Sequence, residues 1–241
     1  MSLPRFVLQD SISPRENLAI TLDAEQAKHL HALRLCPGDP LELFLPTGIW
    51  RGELADIAKN RATIRLVASI EESRESPVEI HACLPITAQL SLWDDFLPGT
   101  IELGVTLIQP VIFERSQYDR QKTEARLERW RRIILAACEQ SHRSRLPNLL
   151  MPVPVASLQS WETAQRWVAY EARTIVPNPE LTIENIAFTH GPEGGITDTE
   201  IEMLQNSGWI PITLGKSILR ATTCPAAILG AIQLELGRHI I

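Results

Sequence analysis

The spacing of apolar positions changes character along the chain. Before residue 71 they recur mostly at alternate places, the two-residue period of half-buried strands. Short strands are predicted at Arg5–Leu8 and Leu18–Leu22. Pro40–Leu45 and Ile49–Ile57 both alternate and flank a Pro46-Thr47-Gly48 turn, a hairpin pattern. Ala62–Ile70 alternates again. One helix interrupts these strands. Asp23 is its predicted N-cap, with Gln26 in the capping-box position, and apolar positions run through Leu30, Leu33 and Leu35 to a stop at Pro37-Gly38. A single short helix among several strands predicts a small β-barrel.

Glu71–Pro77, charged and ending in proline, reads as a linker. The predicted domains are therefore 1–72 and 77–241. Beyond the linker, strand and helix patterns alternate. Strands are predicted at Val78–Leu84, Val105–Phe113, Trp167–Ala172, Ile186–Thr189 and Pro211–Leu214, and a helix closes over Ile101–Gly104. Thr123–Gln140 has helical periodicity, with Leu127, Trp130, Ile134 and Ala137 on one face. Thr197 and Glu200 form a second capping box, and Gly208 suits the end of that helix. Pro225 opens a terminal helix running to about Arg238. Alternating β and α elements predict a mainly parallel sheet covered by helices, so the chain is placed in the α/β class. No internal repeat is visible.

Composition narrows this picture. A hydrophobic content of 44% against 22% charged supports a packed core rather than disorder. No apolar run is long enough to cross a membrane, and the first ten residues carry no signal-peptide core, so a cytoplasmic protein is expected. Cys36, Cys83, Cys138 and Cys224 fit no zinc spacing. Buried free thiols, and no metal, are expected. The net charge of -6 argues against indiscriminate coating of nucleic acid. The charge is nonetheless segregated: Arg115, Arg120, Lys122, Arg126, Arg129, Arg131, Arg132, Arg143 and Arg145 fall in one region, while acids gather at Glu71, Glu72 and Glu75 and in Glu193–Glu202.

Two loops could carry chemistry. His190-Gly191-Pro192-Glu193-Gly194-Gly195 follows a predicted strand and precedes a capped helix. Its glycines permit close backbone approach, and the helix start offers unpaired N–H groups. This suits a polar or anionic ligand, and an ordinary tight turn fits equally well. The second loop runs from Leu214 through Gly215, Ile218, Leu219 and Arg220 to Thr223. Here Ile218 and Leu219 offer an apolar wall and Arg220 a fixed charge, or Arg220 simply pairs with a nearby carboxylate. Neither GxGxxG nor GxxxxGK[ST] occurs, which disfavours pyrophosphate cofactors. A ligand with adenine, a carboxylate and a sulfonium but no phosphate matches better.

Gly191–Gly195 (GPEGG) followed by Leu214–Thr223 (LGKSILRATT) resembles the paired signatures of the bacterial ribosomal RNA small subunit methyltransferase E family, in the SPOUT, or trefoil-knot, superfamily. The similarity extends to His29-Leu30 with Leu33-Arg34-Leu35 and Gly38-Asp39. It continues through Ile101–Val105, Trp130, Ala136–Ser141, and Arg143 with Pro147. The resemblance implies an N-terminal PUA-like β-barrel that helps bind RNA and a C-terminal knotted α/β domain that holds S-adenosylmethionine. It implies methylation of N3 of a uridine in 16S ribosomal RNA, by a homodimer acting on small-subunit RNA or the assembled subunit. Cofactor contacts are carried to His190, Gly191, Pro192, Glu193, Gly194, Leu214, Gly215, Ile218, Leu219 and Arg220, with Tyr170 and Glu171 approaching the same pocket. Arg220 would offset charge on the uridine, and Glu193, Glu171 or His190 would take its proton. RNA contacts are expected from Lys28, His29, Arg34, Arg120, Lys122, Arg143 and Arg145. The sequence also departs from the family pattern. Thr222 stands where the family has Glu, and Leu90–Thr100 carries Asp94, Asp95 and Pro98-Gly99 in place of basic residues. Alternatives are therefore an RNA-binding homologue without transferase activity and a knotted enzyme acting at a different RNA site.

Overall fold

A computed structural model describes residues 3–8, 12–45, 47–70, 75–76, 78–171 and 184–239. The chain forms two compact units, Met1–Glu75 with Cys138–Ser144, and Ser76–Ala137 with Arg145–Ile241. Of the linker expected over Glu71–Pro77, only Glu75 and Ser76 fall within the described residues. Pro46 and Ala172 also lie outside them.

The first unit contains β1 (Arg5–Val7), β2 (Ala19–Leu22), α1 (Ala24–Ala32), β3 (Pro40–Leu45), β4 (Gly48–Ala58) and β5 (Arg61–Ile70). They form a five-stranded sheet in the order β1-β3-β4-β5-β2, antiparallel except for β1 against β3. Alternation sends Leu41, Leu43, Leu54, Ile64 and Leu66 inward, where Leu30 of α1 and Phe6 complete the core. The capping box forms as expected, Asp23 accepting from the Gln26 amide at 2.9 Å and Gln26 accepting from Asp23. The helix stops at Ala32, short of Leu35. Arg34 adopts a left-handed φ of 58°, and the Leu35 N–H turns back to the Leu30 carbonyl at 3.2 Å. This return bond ends the helix while the apolar spacing continues.

Segment Cys138–Ser144 is fastened within this unit by buried charge. The Arg5 guanidinium holds the Glu42 carboxylate at 2.6 Å and the Arg143 carbonyl at 2.9 Å. Glu75 accepts from the Arg143 guanidinium and from the Ser144 amide, each at 2.7 Å. The Val7 N–H donates to Glu139 at 2.9 Å.

The second unit holds β6 (Ile80–Pro85), α2 (Leu92–Glu102), β7 (Leu107–Ile112), α3 (Arg120–Ser141, whose final residues count with the first unit), β8 (Asn148–Leu149) and β9 (Val153–Pro154). A 3-10 turn (Val155–Ser160), β10 (Gln165–Ala169), β11 (Ile186–His190), α4 (Asp198–Asn206), β12 (Ile210–Ile212) and α5 (Cys224–His239) follow. The strands form one parallel sheet in the order β12-β10-β11-β6-β7-β8, with β9 also on β7. The two-residue strands β8 and β9 carry no alternation and were not expected. The helix α2 continues through Pro98, supported by burial of Trp93, Phe96, Leu97 and Ile101. Trp93 stacks on Trp130 of α3 at 4.2 Å, and Leu127, Trp130, Ile134 and Ala137 are all buried as the periodicity predicts. Below one sheet face, Val168 and Ala187 pack with Val155, Leu158, Ile201 and Leu204. On the other face α5 packs against β11 and α2.

The second capping box is also present. Thr197 Oγ1 accepts from the Glu200 amide at 3.3 Å, and Glu200 accepts from the Thr197 amide at 2.9 Å. The other Glu200 oxygen accepts from the Glu114 amide at 2.7 Å. Thr197→Ala should lower the unfolding free energy by about 1 kcal/mol. Glu200→Ala strands two amide donors and should cost roughly 2–3 kcal/mol. Urea titration of the two variants reads this order, and equal losses would refute the second task given to Glu200.

Candidate functional site

Strand register decides which loops meet. His190 ends β11 opposite Ala169, the last residue of β10, and Ala169 lies opposite Ile212, the last residue of β12. Adjacent strands are about 4.8 Å apart, so three strand ends form a row. The loop after His190, Tyr170 with Glu171, and the segment from residue 213 to 223 all leave from this row. A parallel sheet gathers its ligand-binding loops at this carboxyl edge. The Tyr170 amide donates to the Ile212 carbonyl at 3.2 Å, tying two of the exits together.

The first loop is tightly built. The Gly195 amide donates to the Pro192 carbonyl at 2.8 Å, and Gly195 has a φ of 76°. A Cβ on Gly191 would sit 2.9 Å from Ile196 and 3.1 Å from backbone of Gly195. One on Gly194 would sit 3.0 Å from the Arg115 side chain. Arg115 also donates to the Gly194 carbonyl at 2.8 Å. Glu193, exposed, accepts from the Ala88 amide at 3.3 Å. The loops after β6 and β7 thus brace the turn after β11. Neither Ala88 nor Arg115 was expected at the site. The carboxyl-edge rule, applied to β6 and β7, was the signal that could have found them.

His190 is buried, and its Nδ1 lies 2.9 Å from the Gly191 carbonyl. A carbonyl only accepts, so Nδ1 carries the proton. Burial pushes the imidazole pKa down to about 4, and the ring is neutral at pH 7.

The second loop is more open. Gly215 has a φ of 101° and open space where a Cβ would sit, Leu214 and Leu219 are half-buried, and Arg220 is exposed. Ile218, expected to form an apolar wall, is 74% exposed. The Arg220 carbonyl accepts from the Thr223 and Cys224 amides, which starts α5. Arg220 forms no ion pair among the described residues, so the alternative of a local carboxylate partner is not what the structure shows. Tyr170 is half-buried with its hydroxyl 3.5 Å from Asp198, and Glu171 is exposed. A hollow lined by Glu162, Thr163, Ala164, Glu184 and Asn185 lies at the amino ends of β10 and β11, away from these loops.

The residues expected to contact RNA fall into different settings. Lys28, His29 and Arg34 are exposed on α1 and just past its end. Arg120 and Lys122 begin α3 beyond the carboxyl end of β7, paired with Glu124 at 2.8 Å and Asp119 at 3.4 Å. Arg145 pairs with Glu79 at 2.9 Å, just before β6 begins and so at the amino edge. Arg143 requires correction: its side chain is 5% exposed and held by Glu75, so it has no open face for a phosphate. The arginines of the central run are similarly engaged. Asp94 takes Arg129 at 2.7 Å and Arg126 at 3.4 Å, and Glu128 takes Arg131. The cysteines need correction too, since Cys36 is exposed while the other three are buried and free. Among the described residues, no cluster of His, Cys, Asp and Glu could hold a metal ion, and no helix is long and apolar enough to cross a membrane.

Comparison with known proteins adds to this geometry. Residues 74–233 match a family model described as an RNA methyltransferase domain, and residues 22–67 match an RNA methyltransferase PUA domain. The chain is 32% identical over 229 residues to a ribosomal RNA small subunit methyltransferase E of Synechocystis sp., covering 89% of this chain and 72% of the relative. A ribosomal RNA small subunit methyltransferase E from Neisseria gonorrhoeae bound to S-adenosyl methionine superposes with a TM-score of 0.84 at 31% identity, over 96% of this chain and 97% of that one. A Legionella pneumophila protein in complex with bound SAM gives a TM-score of 0.85 at 26% identity, over 97% and 98%.

The pairing of Arg143 has a measurable consequence. Arg143→Ala removes the charged donor from a largely buried Glu75 carboxylate, leaving the Ser144 amide, and should cost roughly 2–3 kcal/mol. Arg145→Ala removes an exposed pair and should cost less than about 1 kcal/mol. Denaturant unfolding of the two variants separates a structural arginine from a surface one.

Proposed function

The chain belongs to the ribosomal RNA small subunit methyltransferase E family, and from that premise we propose that it methylates N3 of a uridine in 16S ribosomal RNA using S-adenosylmethionine. Its architecture is that of the family, a PUA-like β-barrel followed by an α/β trefoil-knot methyltransferase domain. Residues 1–72 would serve RNA binding, and residues 77–241 would hold cofactor and perform the transfer, in a cytoplasmic homodimer acting on small-subunit RNA.

The observation that carries this reading is the row formed by His190, Ala169 and Ile212, which launches both glycine-bearing loops from one edge. The residues there suit an adenosine-bearing ligand without phosphate. Backbone groups of Gly191, Pro192, Glu193 and Gly194 are held in a turn whose glycines leave no room for a Cβ. Leu214, Gly215, Ile218 and Leu219 supply a looser second wall, and Tyr170 and Glu171 stand between the two. When bound, S-adenosylmethionine supplies a methyl carbon activated by a positively charged sulfur.

The remaining work falls to the chain. Uracil N3 must lose its proton to become a nucleophile, and negative charge then spreads onto O2 and O4. Arg220, exposed and without an ion-pair partner among the described residues, would offset that charge. Among the candidate bases, His190 is unsuited, because its ring is buried and its pKa is near 4. Glu193 and Glu171 keep exposed carboxylates at the edge. Glu193 is the better placed, because the Ala88 amide holds one oxygen and the other remains open to substrate. Thr222 offers only a hydroxyl. Arg120 and Lys122 lie toward the same edge and would meet the RNA backbone. Lys28, His29 and Arg34 would do so from the barrel.

Calorimetric titration with S-adenosylmethionine should show binding, and a radiolabelled assay should show methyl transfer to small-subunit RNA. Arg220→Ala should slow transfer by about 10²–10³-fold. Binding without transfer would favour an RNA-binding homologue lacking activity, the reading that Thr222 motivates. Mass mapping that places the methyl group at another atom or nucleotide would favour a related knotted enzyme with a different target.

A further inference from the structure

We propose that His190 is a fixed, neutral hydrogen-bond acceptor inside the cofactor site, with Nε2 taking a neutral donor from the adenosine half of the ligand. This rests on the cofactor reading above and assigns a side chain to it. The ring has one committed nitrogen, since Nδ1–H donates to the Gly191 carbonyl at 2.9 Å. Its Nε2 is buried and meets no hydrogen-bond partner among the described residues. Depression of the ring pKa by burial keeps that nitrogen an acceptor at neutral pH.

Placement turns this bare acceptor into a ligand contact. Successive strand residues face opposite sides of a sheet. Ala187 packs into the core beneath α4 and the 3-10 turn, so Phe188 and His190 face the other side, where α5 lies. The direction of α5 follows from Gln233, which donates to the Leu103 carbonyl at 2.8 Å, just before β7 begins. The helix therefore starts at the carboxyl edge and runs back toward the amino edge. To reach that start from β12, residues 213–223 must cross the ends of β10 and β11 on the side to which His190 points. The ring of His190 thus lies on the side of the sheet that residues 213–223 cross.

Among the described residues, the other buried polar atoms without partners lie outside the two glycine-bearing loops and the ends of β10, β11 and β12. They are the indole nitrogens of Trp130, Trp161 and Trp167, His81 Nδ1 at the start of the sheet, and Asp94 Oδ1 beside the arginines of α3. An unpaired acceptor in a dry site is costly and is kept where a ligand completes it. A cationic donor is the wrong partner, because an ammonium taken out of water against an uncharged ring loses more than it gains. That leaves the adenine amino group or a ribose hydroxyl.

S-adenosylhomocysteine and adenosine are the probes, the first titrated calorimetrically and the second by competition, against the wild-type chain, His190→Phe and His190→Gln. Thermal melting without ligand checks the fold. His190→Phe should weaken S-adenosylhomocysteine about tenfold and adenosine by the same factor. His190→Gln, whose side-chain oxygen restores an acceptor, should stay within about threefold of wild type. Unchanged affinity in a folded His190→Phe chain overturns the proposal, as does a loss for S-adenosylhomocysteine that adenosine does not share. Nitrogen-15 NMR of the wild-type imidazole gives a second readout. The Nε2 resonance should move on ligand addition while Nδ1 stays protonated, and an unmoved Nε2 overturns the proposal even if both variants unfold. A wild-type chain that binds no S-adenosylhomocysteine overturns the cofactor reading itself.

Discussion

Parallel strand pairing is the constraint from which the candidate site follows. A parallel ladder forces every strand to run the same way, so each connection must carry the chain back to the opposite edge before the next strand begins. Every loop that leaves a strand therefore opens on one edge. Here that brings the exits of β6, β7, β10, β11 and β12 together, although they span residues 85 to 213. Backbone hydrogen bonds fix the row, and the side chains only have to finish it.

They finish it asymmetrically. The turn after β11 is braced on two sides, by Arg115 on the Gly194 carbonyl and by Glu193 on the Ala88 amide. A turn held this way loses little further freedom when a ligand arrives, which favours tight and selective contacts. Among the described residues the segment from Gly215 to Arg220 carries no such bracing, and Ile218 and Arg220 are exposed. The rigid wall suits recognition of an invariant cofactor. The open wall leaves Arg220 exposed, without an ion-pair partner among the described residues.

Much of the fold was legible because its signals are local. Both capping boxes, at Asp23 with Gln26 and at Thr197 with Glu200, are short-range hydrogen-bond patterns that the sequence spells out directly. The buried stripe of α3 follows from helical period alone. The end of α1 was missed because a left-handed Arg34, not a break in apolar spacing, terminates it. β8 and β9 were missed because two residues cannot express a period. Both glycine-bearing loops were visible as candidates, but Ala88 and Arg115 were not, since their part depends on strand order and the sequence carries no sign of which strands are neighbours. Arg143 marks the same limit for charge. In sequence it joins a run of basic residues, and in space it is locked to Glu75, 68 residues away.

That last point bears on how an acidic protein could grip an acidic polymer. Counted along the chain, the arginines between Arg115 and Arg145 form a strong positive patch. Counted by partner, Arg126 and Arg129 answer Asp94, Arg131 answers Glu128, Arg143 answers Glu75 and Arg145 answers Glu79. Asp94 of α2 neutralises charge on the neighbouring helix and helps fix α2 to α3, where Trp93 and Trp130 stack. With these carboxylates beside them, the arginines present a weaker positive field than their count along the chain suggests.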